Sequence, residues 1–148
     1  MKIKPHHFID IIKLYGSGLE VFVPDEKMNH DFYRVANELI RCPQTLLTLT
    51  IEADDICQPC YQCINGVCQD MIINTNIKKD DYNKFLDQKI IEQLDLRCDY
   101  SYQADELCEI IYQHKEIIFD VWQQEEPAKR QQRFDLFVKG AMKYLKKG

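Results

Sequence analysis

The hydrophobic positions of this chain recur mostly at intervals of three and four, the period of a helix with one buried face. Phe8, Ile11, Ile12 and Tyr15 set that spacing over residues 5–15, with Pro5 suited to a first turn and Gly16 to the exit. After Pro24, the segment from Asp25 to Arg41 carries Met28, Phe32, Val35, Ala36, Leu39 and Ile40 on one face, and Pro43 stops it. Helical patterns resume at about 80–94, 103–123 and 128–146, broken by Cys98-Asp99-Tyr100-Ser101 and by Pro127. In the last of them Phe134, Phe137, Val138, Ala141 and Leu145 form a stripe, which reads as a core face. The period changes at Thr45 to Ile51, where β-branched residues nearly alternate and predict a strand. Met71-Ile72-Ile73 offers a return strand. The pattern predicts a mainly α (α+β) fold: one helical domain over residues 1–148, with a small β-hairpin flanking an irregular centre.

Composition narrows the class. A chain of 148 residues with 45% hydrophobic and 29% charged positions can bury a core without disulfide staples. The N-terminus begins with basic and apolar residues, but Pro5, His6, His7, Asp10 and Lys13 interrupt it before a signal-peptide core forms. No stretch approaches the roughly 20 apolar residues of a membrane span. A reducing cytoplasmic setting is expected, where clustered cysteines are more often metal ligands or catalytic thiols than bridges. The net charge of −5 argues against nucleic acid or an anionic membrane as partner. From Pro127 to Gly148, however, seven basic residues face one acid, Asp135. That helix could dock an acidic protein partner, or its lysines could complement its own dipole.

The irregular centre, residues 54–70, carries the candidate chemistry. Four of the seven cysteines fall there: Cys57, Cys60, Cys63 and Cys68. The spacing Cys57-x2-Cys60-x2-Cys63 is that with which one loop wraps a cubane iron–sulphur cluster, and a single cluster needs a fourth ligand from Cys68 or elsewhere. A ferredoxin run would place its fourth cysteine one residue earlier and follow it with proline. Paired zinc knuckles are absent, although four thiolates in one loop can hold zinc. Asn65-Gly66 predicts a two-residue type I′ turn. In that register Cys63 opposes Cys68 in a non-hydrogen-bonded pair, with Cβ atoms roughly 4.5–5.5 Å apart. Such a pair suits a shared metal and, after adjustment, a disulfide. Metal site, disulfides and redox thiol centre all remain open on these grounds.

Other residues are candidates to join the loop. His6 and His7 open the first helix and can share a face with Asp10, as half of a metal site or as an acid–base pair. Capping and packing explain a histidine pair equally well. Asp54 and Asp55 either add negative charge beside a cluster or form the turn after the strand. Cys98, in a polar loop, is the remote thiol best placed to be a ligand. Cys42 and Cys108 read as small buried hydrophobes, and His30 and His114 as structural.

The sequence Ile3-Lys4-Pro5-His6-His7, the Gly16-Ser17-Gly18 turn and Asp54-Asp55-Ile56-Cys57-x2-Cys60, in that order, resemble the bacterial and archaeal family known as domain of unknown function 1284. The resemblance spans roughly residues 3–110 and implies an iron–sulphur cofactor, with no established activity. The family follows its PHH with two apolar residues and a cysteine. Asp10 stands at that cysteine's place, which implies either an oxygen ligand or a site lacking that donor.

Three function classes follow. A single-cluster iron–sulphur protein, [4Fe–4S] ahead of [2Fe–2S], would transfer electrons or sense redox state with a protein partner. A zinc-stabilised interaction module is the alternative. A small enzyme using His6 or His7, Asp10 and a cysteine is the third. No nucleotide loop, serine elbow or HExxH motif supports a recognised enzyme class.

Overall fold

The computed structural model describes residues 1–71 and 78–147. In chain order the elements are β1 (Lys2–Ile3), α1 (Pro5–Gly16), α2 (Phe32–Arg41), β2 (Leu46–Leu49), β3 (Cys63–Ile64) and β4 (Val67–Cys68). They continue with α3 (Lys79–Leu94), β5 (Ser101–Gln103), α4 (Ala104–Gln113), α5 (Ile117–Val121) and α6 (Pro127–Tyr144). The fold is mainly helical α+β, as the periodicity predicted.

Helix α1 is the hub. Phe8, Ile9, Ile11 and Ile12 are all fully buried, so its middle is apolar around most of its circumference rather than along one stripe. It packs on α6 along one side and α3 on another. The α1–α6 crossing is set by two glycines: a Cβ on Gly16 would overlap the Leu136 carbonyl, and one on Gly140 the Ile12 carbonyl. Gly16 is therefore a point of backbone contact inside the last turn, not only the helix exit that local sequence suggested. Phe137 and Ala141 flank the crossing, each fully buried. Removing a side chain such as Phe137 from water contributes about 1.5–3 kcal/mol.

The predicted strand is present as β2, the centre of a three-stranded sheet. It pairs in parallel with β1 (Lys2 with Thr48, Ile3 with Leu49) and antiparallel with β5 (Leu47 with Tyr102). Neither partner was expected, because strands of two and three residues show no periodicity. The parallel pairing has a consequence: β1 delivers Lys4, Pro5, His6 and His7 beside the segment that follows β2.

Other boundaries moved. The helix expected from Asp25 starts at Phe32. The Asp25 carboxylate accepts the Lys27 and Met28 N–H groups at 3.0 and 3.2 Å, closing one isolated turn, and Asn29 takes a left-handed φ of 59°. Residues 28–31 then brace the cysteine loop: the Tyr61 N–H reaches the Met28 carbonyl at 2.9 Å, and the Asp31 N–H the Ile56 carbonyl at 3.0 Å. The stretch read as one helix over 103–123 is the end of β5, then α4, a turn at His114–Glu116, and α5. Met71 bridges to Lys78, while Ile72 and Ile73 of the expected return strand lie outside the described residues. Part of the basic C-terminal charge is used internally. Arg133 binds Glu125 and Asp10, Lys143 reaches Glu20 at 2.8 Å, and Lys147 reaches Glu109 at 3.3 Å.

Candidate metal centre

The cysteine loop is a cascade of turns with a three-residue period. The Cys57 N–H bonds the Asp54 carbonyl at 3.1 Å, the Cys60 N–H the Cys57 carbonyl at 2.9 Å, and the Cys63 N–H the Cys60 carbonyl at 3.0 Å. Two intervening residues are what such turns require, so the spacing of the cysteines is also the repeat of the backbone. The hairpin follows in the expected register, Cys63 opposite Cys68 and Ile64 opposite Val67. Asn65 and Gly66 both have positive φ, 54° and 79°, as a type I′ turn demands. All four loop cysteines are free thiols.

Asp54 ties this loop to the N-terminus. It is 1% exposed, and both its oxygens are engaged. Oδ1 accepts the N–H groups of Ile56 and Cys57 at 3.1 and 3.0 Å. Oδ2 accepts the Lys4 N–H at 2.8 Å and meets His7 Nδ1 at 2.7 Å. Burial opposes its charge, but His7 and these donors outweigh burial and hold the carboxyl well below the usual carboxylate range. Asp55 adds a backbone exchange with Lys2, its N–H to the Lys2 carbonyl and its Oδ2 to the Lys2 N–H, both at 3.1 Å. The two aspartates are thus the clamp between β1 and the loop.

His6 and His7 have separate anchors. His6 Nδ1 lies 2.9 Å from both oxygens of the fully buried Asp87, whose Oδ1 also accepts the His6 backbone N–H at 2.8 Å. Burial disfavours the His6 charge, yet Asp87 prevails and its pKa lies above the ordinary histidine value. His7 is shifted the other way: burial and the neighbouring His6 outweigh Asp54, so the ring favours its neutral form. With Nδ1 given to Asp54, the nitrogen left to His7 is Nε2, and among the described residues no hydrogen bond takes it.

A cleft of about 140 Å³ opens here, lined in part by Lys4, His7, His30, Cys57, Cys60 and Cys68. Cys63 and Cys98 are not on its wall, and neither is Asp10. Asp10 is instead paired with Arg133 at 2.5 Å, which removes it from the histidines that share its helix. Cys98 and Cys42 are exposed, the latter against expectation, since the α2 C-terminus that carries it faces solvent; Cys108 is buried as expected. His30, for which the sequence offered no partner, reaches the cleft because the turn at Asp25 replaces a helix there.

Among the described residues, His7, Asp54 and Cys57 form the group whose donor atoms all lie within 4.8 Å of one another. The other three loop sulphurs join no such group. Burial, and then the charge of Asp54, push the Cys57 thiol up to about 12, so it is no activated nucleophile as it stands. Lys4 is 2% exposed. Burial works against its ammonium charge, but Cys57, Asp54, Asp87 and Asp80 around it prevail and raise its pKa.

Sequence reasoning missed Lys4, Asp80 and Asp87. The available signal was their adjacency to apolar residues at helical spacing, which for charged side chains more often marks a solvated flank. Comparison of the chain with family models, curated proteins and solved structures finds no match in any of the three.

Proposed function

We propose that the protein carries an iron–sulphur cluster at this cleft and uses it to transfer electrons or to sense redox state. One observation carries the reading. The buried charged and polar side chains among the described residues (Lys4, His6, Asp54, Asp80 and Asp87) belong to one cluster, and its Lys4 lines a cleft together with Cys57, Cys60 and Cys68. Burying charge costs several kcal/mol per ion unless it is paired, and a fold that needed only stability would spread or avoid that cost. Concentrated at a thiol-lined cleft, these groups have the character of a functional site.

The donor spacing favours a cluster over a single ion. Thiolates sharing one tetrahedral zinc, each about 2.3 Å from it, stand about 3.8 Å apart. Cys57, Cys60 and Cys68 line one cleft without all three gathering within 4.8 Å of one another, which suits a polynuclear centre whose thiolates bind different irons. When bound, such a centre would supply one-electron chemistry that no side chain here can supply. Two of the three stretches that carry the resemblance to the domain of unknown function 1284 family are joined through Asp54, in accord with the same cofactor. Tyr61 and Ile64, 67% and 54% exposed beside the loop, give a protein partner an apolar approach. Among the described residues no helix is long and apolar enough to cross a membrane.

A zinc-stabilised module is the second reading. The His7–Asp54 pair favours it, because a carboxylate fixing a histidine tautomer is the usual outer arrangement of zinc sites. The enzyme reading has less support: Asp10 is taken by Arg133, and the Cys57 thiol is shifted away from thiolate. Anaerobic purification with iron, sulphide and zinc analysis tests the proposal. A brown protein with iron and sulphide in equal amounts is expected. A colourless protein with stoichiometric zinc gives the second reading, and a protein that takes up neither overturns both.

A further inference from the structure

His6 and His7 are adjacent, and each gives Nδ1 to a buried aspartate, yet only His7 lies on the cleft wall. The two rings therefore have different roles. His6 is sealed between α1 and α3 by Asp87 and is 6% exposed. His7 lines the cleft with a donor atom within 4.8 Å of the Cys57 sulphur, and Asp54 holds its Nδ1, which leaves Nε2 over. Asp54 itself has no lone pair to spare, because four donors already fill its two oxygens. A carboxylate so saturated orients a ligand more readily than it becomes one.

We infer that His7 Nε2 is a ligand of the metal centre proposed above, completing a set with the thiolates of Cys57, Cys60 and Cys68, and that Cys63 lies outside the set. The inference rests on the metal-centre reading and departs from an all-cysteine loop. A centre of this kind takes four donors from the protein. Of the donor side chains on the cleft wall, His30 and Asp70 are engaged elsewhere, with Asp25 at 3.3 Å and Lys79 at 2.7 Å, which leaves Cys57, Cys60, Cys68 and His7; Cys63 is not on the wall. One imidazole in place of a thiolate leaves the centre with one fewer negative charge. A histidine-ligated cluster has a higher reduction potential than its all-thiolate equivalent, and the Lys4 ammonium at the same cleft acts in the same direction.

The test uses the full-length chain, reconstituted anaerobically with iron and sulphide, and the variants His7→Ala, His7→Cys and Cys63→Ser. Pulsed electron paramagnetic resonance of the reduced wild type is expected to show histidine-nitrogen hyperfine coupling. His7→Ala should retain the centre about tenfold more weakly or lose it. His7→Cys should regain it without the nitrogen coupling and at a lower potential, and Cys63→Ser should keep both metal and coupling. A wild-type centre without nitrogen coupling overturns His7 ligation while leaving the metal-centre reading intact. So does loss of metal in Cys63→Ser together with full retention in His7→Ala. A wild-type chain that binds neither iron nor zinc overturns the metal-centre reading and this inference with it.

Discussion

The two ends of α1 solve opposite packing problems. At its C-terminal end the backbone of Gly16 lies against that of Gly140, with Phe137 and Ala141 alongside and no side chain between the helices. At its N-terminal end a single turn brings Lys4, His6 and His7 into contact with Asp54 and Asp87, all buried but for the part-buried His7. The first end gains dispersion and apolar burial at the cost of tolerating only glycine. The second forgoes that gain, since well-packed apolar residues of similar volume are often as stable as buried ion pairs or more so. One helix thus joins an end packed for stability alone to an end that carries buried charge, and the second is where the proposed site lies.

That contrast can be broken from either end. The largest effect is expected from Asp87→Ala, which leaves His6 buried without its partner. A loss of about 3–5 kcal/mol in denaturant unfolding is predicted, near the cost of stripping one member from a buried pair. A loss under about 1 kcal/mol would mean that the N-terminal charges are not energetically coupled. Next comes Gly140→Ala. Its Cβ must displace the Ile12 backbone, and overpacking of this kind costs about 1–3 kcal/mol, measurable as a lower melting temperature. Metal uptake by the folded fraction should be unchanged, because the crossing is at the far end of α1. Were metal uptake to fall in step with stability, the two ends would not be separable.

Replacing Cys60 with serine is expected to act the other way. Metal should be released and hydrogen-exchange protection lost over residues 54–70, while helical circular dichroism stays within experimental error. Full metal content in that variant would remove Cys60 from the ligands. The smallest effects are expected at Cys42 and Cys98. Both are exposed, and serine at either should change stability by no more than about 0.5 kcal/mol with metal content unaltered. Metal loss on Cys98→Ser would restore it as the remote ligand that the sequence suggested.

Local structure was legible in the chain. The helical spacing around Phe8 and Ile12 places α1, alternation over Thr45 to Ile51 places β2, and Asn65-Gly66 sets the pairing of Cys63 with Cys68. Each depends on the conformational preferences of a few consecutive residues, and these do not change with context. The extra turn at Asp25 was also written locally, in an aspartate able to cap Lys27 and Met28, but a seven-residue apolar period across it concealed the break. Tertiary structure decided the rest, and the reason is the pairing of distant segments. Parallel contact between Lys2-Ile3 and Thr48-Leu49 sets Lys4 and His7 against Asp54, some fifty positions away, and α3 brings Asp87 to His6 over eighty. Two adjacent histidines with the same local neighbours thereby acquire different partners, one sealed in the core and one on a thiol-lined cleft. Asp10, four positions from one and three from the other, is withdrawn by an arginine 123 residues further on. A charge goes where its strongest available partner stands in space, and spacing along the chain does not encode that position.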